Sequence, residues 1–361
     1  MKAEKDPKTG KWLIQYRYTD WQGNRKKSTK RGFDTKREAE EWLRRFLDKQ
    51  KINFDMNFEE FVEIYMEDMA ARLREHTMVN KRYIIELKIL PYFGKKKVNS
   101  ITAADVRKWQ NTLMKQGYSK TYLKTINNQL SAIFNYASRY YDYDNNPCRK
   151  AGSMGKNKAD EMKIWTKEEF GEFIDVLMNK RQSYVAFMIL YWTGIRVGEL
   201  LALTPGDFDF ENLTLSITKS YQRIKGRDVI TEPKTPKSRR VISIPKFLAE
   251  NVKEYIDYIY GMESDDRMFP FAKTYIEHEM KRGIKLSGVK PIRVHDLRHS
   301  HASLLVEMGF SILEIAERLG HERVETTMDT YAHLYPNKQT ALADRLEKLY
   351  RDEQNYEETT A

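Results

Sequence analysis

PIRVHDLRHSHA at residues 291–302 and LGHERVETTMDTYAHLY at residues 319–335 are the two segments from which the rest of the chain is best understood. Together they contain five of the seven histidines: His295, His299, His301, His321 and His333. Histidine exchanges protons near neutral pH, and Arg298 adds a permanently charged, planar fork of N–H donors. Such a concentration of donors suits the binding of an oxyanion.

Three chemistries account for this cluster. A zinc site is suggested by His295 and His299 at i and i+4, but Asp296 replaces the glutamate of the metalloprotease pattern HExxH, and Arg298 adds positive charge where a cation would bind. In a structural interpretation the histidines cap helices and satisfy core hydrogen bonds, which is the commoner role for any single one. In phosphoryl transfer, guanidinium and imidazole groups bind the nonbridging oxygens of a phosphodiester while a side-chain hydroxyl attacks phosphorus.

Phosphoryl transfer requires a second arginine, an acid for the leaving group and a nucleophile. TGIRVGEL supplies Arg196, directly after the apolar run 184–192, which predicts a buried helix ending at Gly194. Lys234 lies in TEPKTPKSRRVISIP, a proline-flanked turn before a predicted strand. TTMDTYAH predicts a short helix that carries Tyr331. The groups that this chemistry requires are therefore present.

The motifs TGIRVGEL, PKTPKSRR, HDLRH, LGH and YAHLY, in this order, resemble those of the tyrosine recombinases, the lambda-integrase family, over about residues 165–350. The resemblance implies a catalytic set of Arg196, Lys234, His295, Arg298, His321 and Tyr331. It implies that Tyr331 forms a 3′-phosphotyrosyl link while Lys234 protonates the departing 5′-oxygen, with no cofactor and neither ATP nor metal. Glu199 is expected to orient an active-site group, and His299 and His333 are expected to be supporting or structural.

Composition points to a polyanionic partner inside the cell. The net charge is +11, and residues 1–52 alone hold ten lysines and six arginines against eight carboxylate side chains. One cysteine, Cys148, fits a reducing cytoplasm. The longest apolar run is too short to span a membrane, and the N-terminus lacks an apolar signal core. We expect a cytoplasmic, nucleoid-associated bacterial protein without a membrane partner.

Residues 1–52 predict a β-sheet of about three strands backed by one helix. KWLIQYRYT at residues 11–19 alternates as a strand does, the basic run at residues 25–31 continues the sheet, and Thr35 with Glu38 opens the helix. The module resembles the arm-binding domain of phage and conjugative-element integrases, and such a sheet can enter a DNA major groove. A merely solvated basic face is the alternative. The expected DNA contacts are Lys11, Arg17, Arg25, Lys26, Lys27 and Lys30.

Residues 57–146 predict a four-helix domain, with starts at Asn57, Thr77, Thr102 and Ser119. The resemblance makes this the domain that binds the core site, with Lys95, Lys96, Lys120 and Lys124 as phosphate contacts. Residues 147–163, rich in Asn, Gly and Lys, predict a linker.

Residues 164–352 predict the catalytic domain, helices around a short sheet at residues 213–218 and 240–244, followed by a polar tail at residues 353–361. Lys237, Arg239 and Arg240 are expected to contact phosphates, and a last helix is expected at about residues 338–350. The fold class is thus multidomain α+β.

The resemblance implies an integrase that inserts and removes a mobile element through a Holliday junction. It implies a homotetramer on double-stranded core and arm sites, and an excisionase or host DNA-bending protein as a further partner. Two rivals remain open, a nicking and closing enzyme like type IB topoisomerases and a DNA-binding regulator with a decayed active site.

Overall fold

The computed structural model describes residues 3–7, 9–19, 25–50, 54–156, 162–233 and 236–334, with isolated positions 343, 346 and 347. The chain divides into two compact units, Met1–Asp160 and Glu161–Ala361. None of the described helices is both long and apolar enough to cross a membrane. The predicted helix at residues 338–350 and the tail lie almost wholly outside the described residues.

The chain begins with an antiparallel three-stranded sheet in the order β1 (Glu4–Lys5), β2 (Trp12–Thr19) and β3 (Arg25–Phe33), followed by α1 (Lys36–Gln50). Every second residue of a strand points to the same face. Ile14 and Tyr16 are buried on the face that α1 covers. The sheet and its helix agree with the predicted elements.

The second part of this unit is helical. It consists of α2 (Phe58–Ala70), α3 (Glu75–Ile84), α4 (Leu90–Phe93), α5 (Ala103–Met114), α6 (Lys120–Tyr140) and α7 (Pro147–Ala151), with a π-helical turn at Ile85–Ile89. Asn57, Thr102 and Ser119 are the N-caps of α2, α5 and α6, as predicted. The predicted start at Thr77 is wrong, because α3 begins after Arg74, whose side chain makes no capping bond.

Residues 147–154 belong to this helical core, although they were assigned to a linker. Asn146 caps α7 through its side chain, which accepts a hydrogen bond from the Cys148 N–H. Cys148, Ala151 and Met154 are buried in the apolar cluster of the helices. Polar composition obscured this packing, because each buried residue stands among exposed Lys, Arg, Ser and Gly residues.

The second unit is mostly helical around one apolar core. Its helices are α8 (Lys167–Asp175), α9 (Arg181–Thr193), α10 (Val197–Leu200), α11 (Lys246–Tyr258), α12 (Lys273–Ser287), α13 (Asp296–Glu307), α14 (Ile312–Leu319) and α15 (Val324–Tyr331). Thr166 and Glu169 form the predicted capping box of α8. The buried helix α9 ends at Gly194, as predicted, and packs against α11 and α13.

Two small sheets lie on this core. One is antiparallel in the order β4 (Phe208–Asp209), β5 (Thr214–Ile217) and β8 (Arg240–Ser243), and it contains both predicted strands. The other is a hairpin of β6 (Ser220–Ile224) and β7 (Arg227–Thr231) that the sequence analysis did not identify. Helices and small sheets together confirm the predicted mixed α and β class.

Candidate active site

The guanidinium of Arg298 is fixed between the ends of two helices. Arg298 lies on the first turn of α13 and is only 3% exposed. Its Nη1 donates to the Gly194 carbonyl at 2.8 Å, where α9 ends, and its Nη2 donates to the Leu319 carbonyl at 2.7 Å, where α14 ends. Carbonyls at helix ends carry partial negative charge and need donors. The two bonds leave further N–H donors of the guanidinium for a ligand.

Two glycines make this arrangement possible. Gly194 ends α9 with φ +66°, and a Cβ atom there would lie 2.6 Å from Cδ2 of His301. Gly320 ends α14 with φ +67°, and a Cβ atom there would lie 3.0 Å from Cδ of Arg240. Both backbones are left-handed, where glycine has no steric penalty. The glycines of TGIR and LGH are therefore required by the backbone and by close packing.

Arg196 is held by a buried carboxylate. Glu199, on α10, accepts hydrogen bonds from the backbone N–H of Arg196 at 2.9 Å and from its Nη1 at 2.8 Å. Glu199 also pairs with Arg240 at 3.1 Å. Burial raises the pKa of Glu199, but the charges of Arg240 and Arg196 outweigh it, so the net pKa lies below the usual value. The carboxylate is therefore ionised. The Arg196 side chain that it holds is 37% exposed to solvent.

Arg240 belongs to the interior, which corrects the expectation that it contacts phosphate. Its side chain is only 6% exposed. Its Nε donates to the carbonyl of Arg318 at 2.8 Å, and Nη2 donates to Glu199. Arg240 therefore supports Glu199, and through it Arg196.

His321 and His295 are both poised to be neutral at neutral pH. Nδ1 of His321 lies 2.7 Å from Oγ1 of the fully buried Thr327. Burial, followed by the charges of Arg298 and Arg196, lowers the pKa of His321 to about 4. His295 precedes α13 and keeps an exposed edge, while lost hydration and the charge of Arg298 lower its pKa.

Tyr331 is the last residue of α15, and its ring is 1% exposed. The ring packs in an apolar cluster with Ala302 and Val306 of α13 and with Leu319 of α14. Its hydroxyl lies 2.7 Å from Nδ1 of His299. Burial raises the pKa of Tyr331 to about 12, against the opposing charge of Arg298. The phenol therefore keeps its proton at neutral pH.

The structure brings most of the predicted set into one electrostatic cluster. The charges of Arg298 and Arg196 act on both His295 and His321, and that of Arg298 also acts on Tyr331. Lys234 lies outside the described residues. Within the described ranges, no three His, Cys, Asp or Glu side chains converge as a metal site requires. The arrangement offers cationic and neutral donors to an oxyanion beside a phenol.

Sequence reasoning treated His299 and Arg240 too lightly. His299 bonds the hydroxyl of Tyr331, and Arg240 holds the carboxylate of Glu199. The spacing of His299, one helical turn after His295, was a usable signal, but it was considered only for zinc. Arg240 ends the motif that contains Lys234, but it was grouped with the exposed cations Lys237 and Arg239 as a phosphate contact.

The register of the N-terminal sheet places the residues expected to contact DNA on two opposite faces. Arg17 pairs with Lys27 on the face away from α1, and both are exposed. Lys30 pairs with Ile14 on the other face, where its Nζ lies 5.9 Å from the centre of the Trp42 ring. The open face of the sheet therefore carries Arg17 and Lys27, whereas Lys30 lies on the face that α1 covers.

Two other predicted contacts in this sheet are placed as follows. Lys11 lies beside β2 and pairs with Asp34 at 3.1 Å. Lys26 pairs in register with Tyr18, and Arg25 begins β3.

The lysines expected to contact the core site differ in their side-chain partners. Lys95 and Lys120 are exposed. Lys96 is paired with Asp105 and lies over the ring of Tyr92. Lys124 donates to Oγ of Ser153 at 2.7 Å.

In the second unit, Lys237 and Arg239 are both exposed beside the cluster, on the segment before β8. Arg239 lies 3.8 Å from Glu232, a pair so exposed that solvent screens it. Both cations are accessible to a phosphate backbone.

The second unit is mostly helical and holds two arginines, neutral imidazoles and a phenol in one cluster. This combination is typical of the tyrosine recombinases. Three family models match the chain: an Arm DNA-binding domain at residues 3–50, a phage integrase N-terminal SAM-like domain at residues 57–114, and the Phage integrase family at residues 163–338. The ICEBs1 integrase of Bacillus subtilis (strain 168) is 33% identical over 328 residues, covering 86% of this chain and 89% of the relative.

Solved structures agree on the fold. The Tn1549 transposon integrase in complex with a circular intermediate DNA superposes with a TM-score of 0.66 at 20% identity, covering 80% of this chain and 99% of that one. A lambda integrase tetramer bound to a Holliday junction gives 0.58 at 18% identity, covering 89% and 96%. The chain belongs to the phage integrase family. It is a tyrosine-type, site-specific DNA recombinase, which confirms the resemblance seen in the sequence.

Proposed function

We propose that Tyr331 cuts DNA for the integration and excision of a mobile genetic element, with Arg196, Arg298, His295 and His321 binding the scissile phosphate. The observation that carries this proposal is the immobilised guanidinium of Arg298 in the same cluster as the Tyr331 phenol. A preorganised cation beside a hydroxyl nucleophile is the arrangement that attack on a phosphodiester needs.

The cleavage step transfers one phosphoryl linkage. The oxygen of Tyr331 bonds to phosphorus while the bond from phosphorus to the 5′-oxygen breaks. The product is a 3′-phosphotyrosyl link, and Lys234 gives the departing 5′-oxygen a proton. The covalent link conserves the bond energy, so attack by another 5′-hydroxyl rejoins the strand without ATP.

The two arginines act on the charge that gathers on the nonbridging oxygens. Arg298 is fixed by two carbonyls, and Arg196 is fixed by Glu199 while its outer face stays open. Guanidinium–phosphate bonds that strengthen as charge develops lower the barrier rather than merely tightening binding. Lysine lacks the planar fork and is not an equivalent replacement.

His295 and His321 contribute neutral N–H donors to the same oxygens. Thr327 fixes the ring of His321 through Nδ1, which leaves Nε2 for the phosphate. A neutral imidazole donates without adding to the repulsion between the two arginines. The depressed pKa values of both rings keep them in that state at neutral pH.

The remaining domains select the DNA. Residues 1–52 read arm-type sites through the open sheet face with Arg17 and Lys27, and residues 57–146 hold the core site, with the exposed Lys95 and Lys120 on its phosphates. Lys237 and Arg239 extend this contact beside the catalytic cluster.

The assembly on DNA is a homotetramer around a Holliday junction, by similarity to the lambda integrase tetramer. An excisionase or host DNA-bending protein sets direction. The reaction takes place in the bacterial cytoplasm on the nucleoid. Whether the element is a prophage or a conjugative element is set by its other genes, not by this chemistry.

The decisive experiment uses a nicked suicide duplex built from the DNA that flanks the gene, incubated with the protein in EDTA. The expected product is a denaturant-resistant protein–DNA band, absent from Tyr331→Phe and retained in Tyr350→Phe, the matched control at a second tyrosine of the C-terminal sequence. DNA affinity of Tyr331→Phe stays at the wild-type level. A band of normal yield in Tyr331→Phe contradicts the assignment, and relaxation of plasmids lacking any flanking sequence favours the topoisomerase-like rival.

Deleting residues 1–52 tests the arm module. Cleavage of an isolated core site continues, while recombination between complete attachment sites falls. The control is Arg17→Ala with Lys27→Ala in the full chain, which removes the two cations and keeps the sheet. Full recombination by the deletion variant contradicts the proposed role.

A further inference from the structure

One polar contact of the buried phenol is unused by the mechanism described above. Nδ1 of His299 lies 2.7 Å from the Tyr331 hydroxyl, and in the described part of the chain it is the hydrogen-bond partner of that hydroxyl. The His299 ring is half-buried and lies nearly perpendicular to the ring of His295, with 5.1 Å between centroids. It therefore faces the catalytic cluster on one side and the phenol on the other.

We propose that His299 is a catalytic residue that orients the Tyr331 hydroxyl through Nδ1 and takes its proton as the oxygen bonds to phosphorus. This inference rests on the proposed role of Tyr331 as nucleophile. It adds a residue on the nucleophile's side of the phosphate, opposite the leaving-group acid.

The proton balance of this step is simple. His299 begins neutral, with its proton on Nε2 and a lone pair on Nδ1, and the Tyr331 O–H donates to that lone pair. The O–H bond breaks as the O–P bond forms, and the proton ends on Nδ1 as an imidazolium. During religation Tyr331 becomes the leaving group, and the same proton returns to its oxygen.

The surroundings of His299 fit an acceptor that starts without a proton. Burial and the neighbouring His295 lower its pKa to about 4, so the ring is neutral at neutral pH. Asp296 opposes this shift, while Arg298 and Arg293 add to it. A base this weak does not remove a phenol proton in the ground state. It accepts the proton only as bonding to phosphorus makes the phenolic oxygen acidic, which ties transfer to attack.

His295 is the competing acceptor, and geometry disfavours it. It has an exposed edge at the start of α13, and among the described residues its ring makes no hydrogen bond to the Tyr331 hydroxyl. An open imidazole is better placed for the phosphate than for a phenol buried in an apolar cluster. The two histidines therefore have different roles.

The test measures single-turnover formation of the covalent adduct on the suicide duplex. His299→Asn retains an oxygen acceptor but cannot take a proton, and its rate should fall about 10²- to 10⁴-fold with DNA affinity unchanged. Its rate should then rise with pH, by up to about tenfold per unit, as ionised phenol replaces the lost acceptor. Wild-type protein should show a much flatter profile above pH 6. If His299→Asn does not fold, His299→Gln is measured in its place.

A duplex with sulfur in place of the bridging 5′-oxygen separates the two sides of the reaction. The thiolate leaves without a proton, so this substrate should restore cleavage by Lys234→Ala but not by His299→Asn. Restoration of His299→Asn, or a wild-type rate for it on ordinary DNA, overturns the inference alone. Adduct formation by Tyr331→Phe would instead overturn the proposed nucleophile, so the two failures are distinguishable.

Discussion

The negative charge of the buried Glu199 carboxylate is predicted to stabilise the second unit. Glu199 is 2% exposed and accepts hydrogen bonds from Arg196 and from the nearly buried Arg240. Glu199→Gln keeps the shape of the side chain and one acceptor oxygen but removes the negative charge. The guanidinium of Arg240 would then remain buried without a counter-ion.

Breaking a buried ion pair from one side costs about 3–5 kcal/mol. Because glutamine still accepts a hydrogen bond, we expect the lower end, about 3 kcal/mol. Arg196 adds little to this figure, since its side chain is partly exposed and solvent screens it. For a unit of the size of Glu161–Ala361, this loss lowers the midpoint of thermal unfolding by about 6–12 °C.

Scanning calorimetry of the full-length protein measures the shift. Glu254→Gln is the matched control, because Glu254 pairs with Arg181 at 3.1 Å on an exposed surface of the same unit. That variant should move the midpoint by no more than about 2 °C. Equal shifts for the two variants would refute the claim that Glu199 is the buried counter-ion of the site.

Two further changes test other parts of the second unit. Gly320→Ala should cost at least about 1–2 kcal/mol, because φ is +67° and the new Cβ lies 3.0 Å from the side chain of Arg240, and it should slow adduct formation. The check is thermal unfolding beside single-turnover cleavage. Gly261→Ala is the control for the close contact alone, because Gly261 has the same left-handed backbone, with φ +73°, but an added Cβ there meets no atom within 4 Å. Burial raises the pKa of Glu279, but hydrogen bonds from Arg282 outweigh it and bring the pKa to about 2. Its stabilisation is complete above about pH 4.5 and disappears as pH falls towards 2, so the difference in midpoint between wild type and Glu279→Gln should shrink from pH 6 to pH 3.

Each of these two predictions has one outcome that would contradict it. A Gly320→Ala variant no less stable than Gly261→Ala would mean that the close approach to Arg240 does not matter, because both positions share the left-handed backbone. A midpoint difference for Glu279→Gln that stays constant with pH would mean that Glu279 titrates normally in the folded protein.

Local chemistry explains where sequence analysis succeeded. Helices that begin with a side-chain cap, at Thr102, Ser119 and Thr166, were predicted from the cap itself. The start after Arg74 was missed because the side chain of this residue makes no capping bond. Element boundaries are readable where a side chain makes them and not where tertiary packing does.

The hairpin of β6 and β7 was missed because the sequence of its turn is a weak hairpin marker. β6 and β7 are joined by Lys225 and Gly226, which both have positive φ, as the two-residue turns of hairpins require. The pair Lys-Gly is a weaker marker than Asn-Gly, and in the strands beside it Arg and Asp stand among the apolar residues. The hairpin depends on contacts between β6 and α10, which are distant from its own turn.

In the candidate site, some residues were predicted from local motifs, whereas one pairing depends on tertiary packing. The motifs TGIRVGEL, HDLRH, LGH and YAHLY pointed to Arg196, Arg298, His321 and Tyr331, whose catalytic roles stay predictions. The partnership of His299 with Tyr331 joins positions 32 residues apart and could not be found from spacing. Long-range pairing of this kind depends on how α13 and α15 pack.

The two carbonyls that hold Arg298 have a consequence for the entropy of DNA binding. A free arginine side chain carries about 2 kcal/mol of rotamer entropy, which a flexible cation would lose at the moment it contacts phosphate. Arg298 has already lost that freedom during folding, because the ends of α9 and α14 fix both of its terminal nitrogens. In the proposed role of Arg298, an arriving phosphate therefore meets a guanidinium that needs no further ordering, and the free energy of contact goes into binding rather than into restraining the side chain.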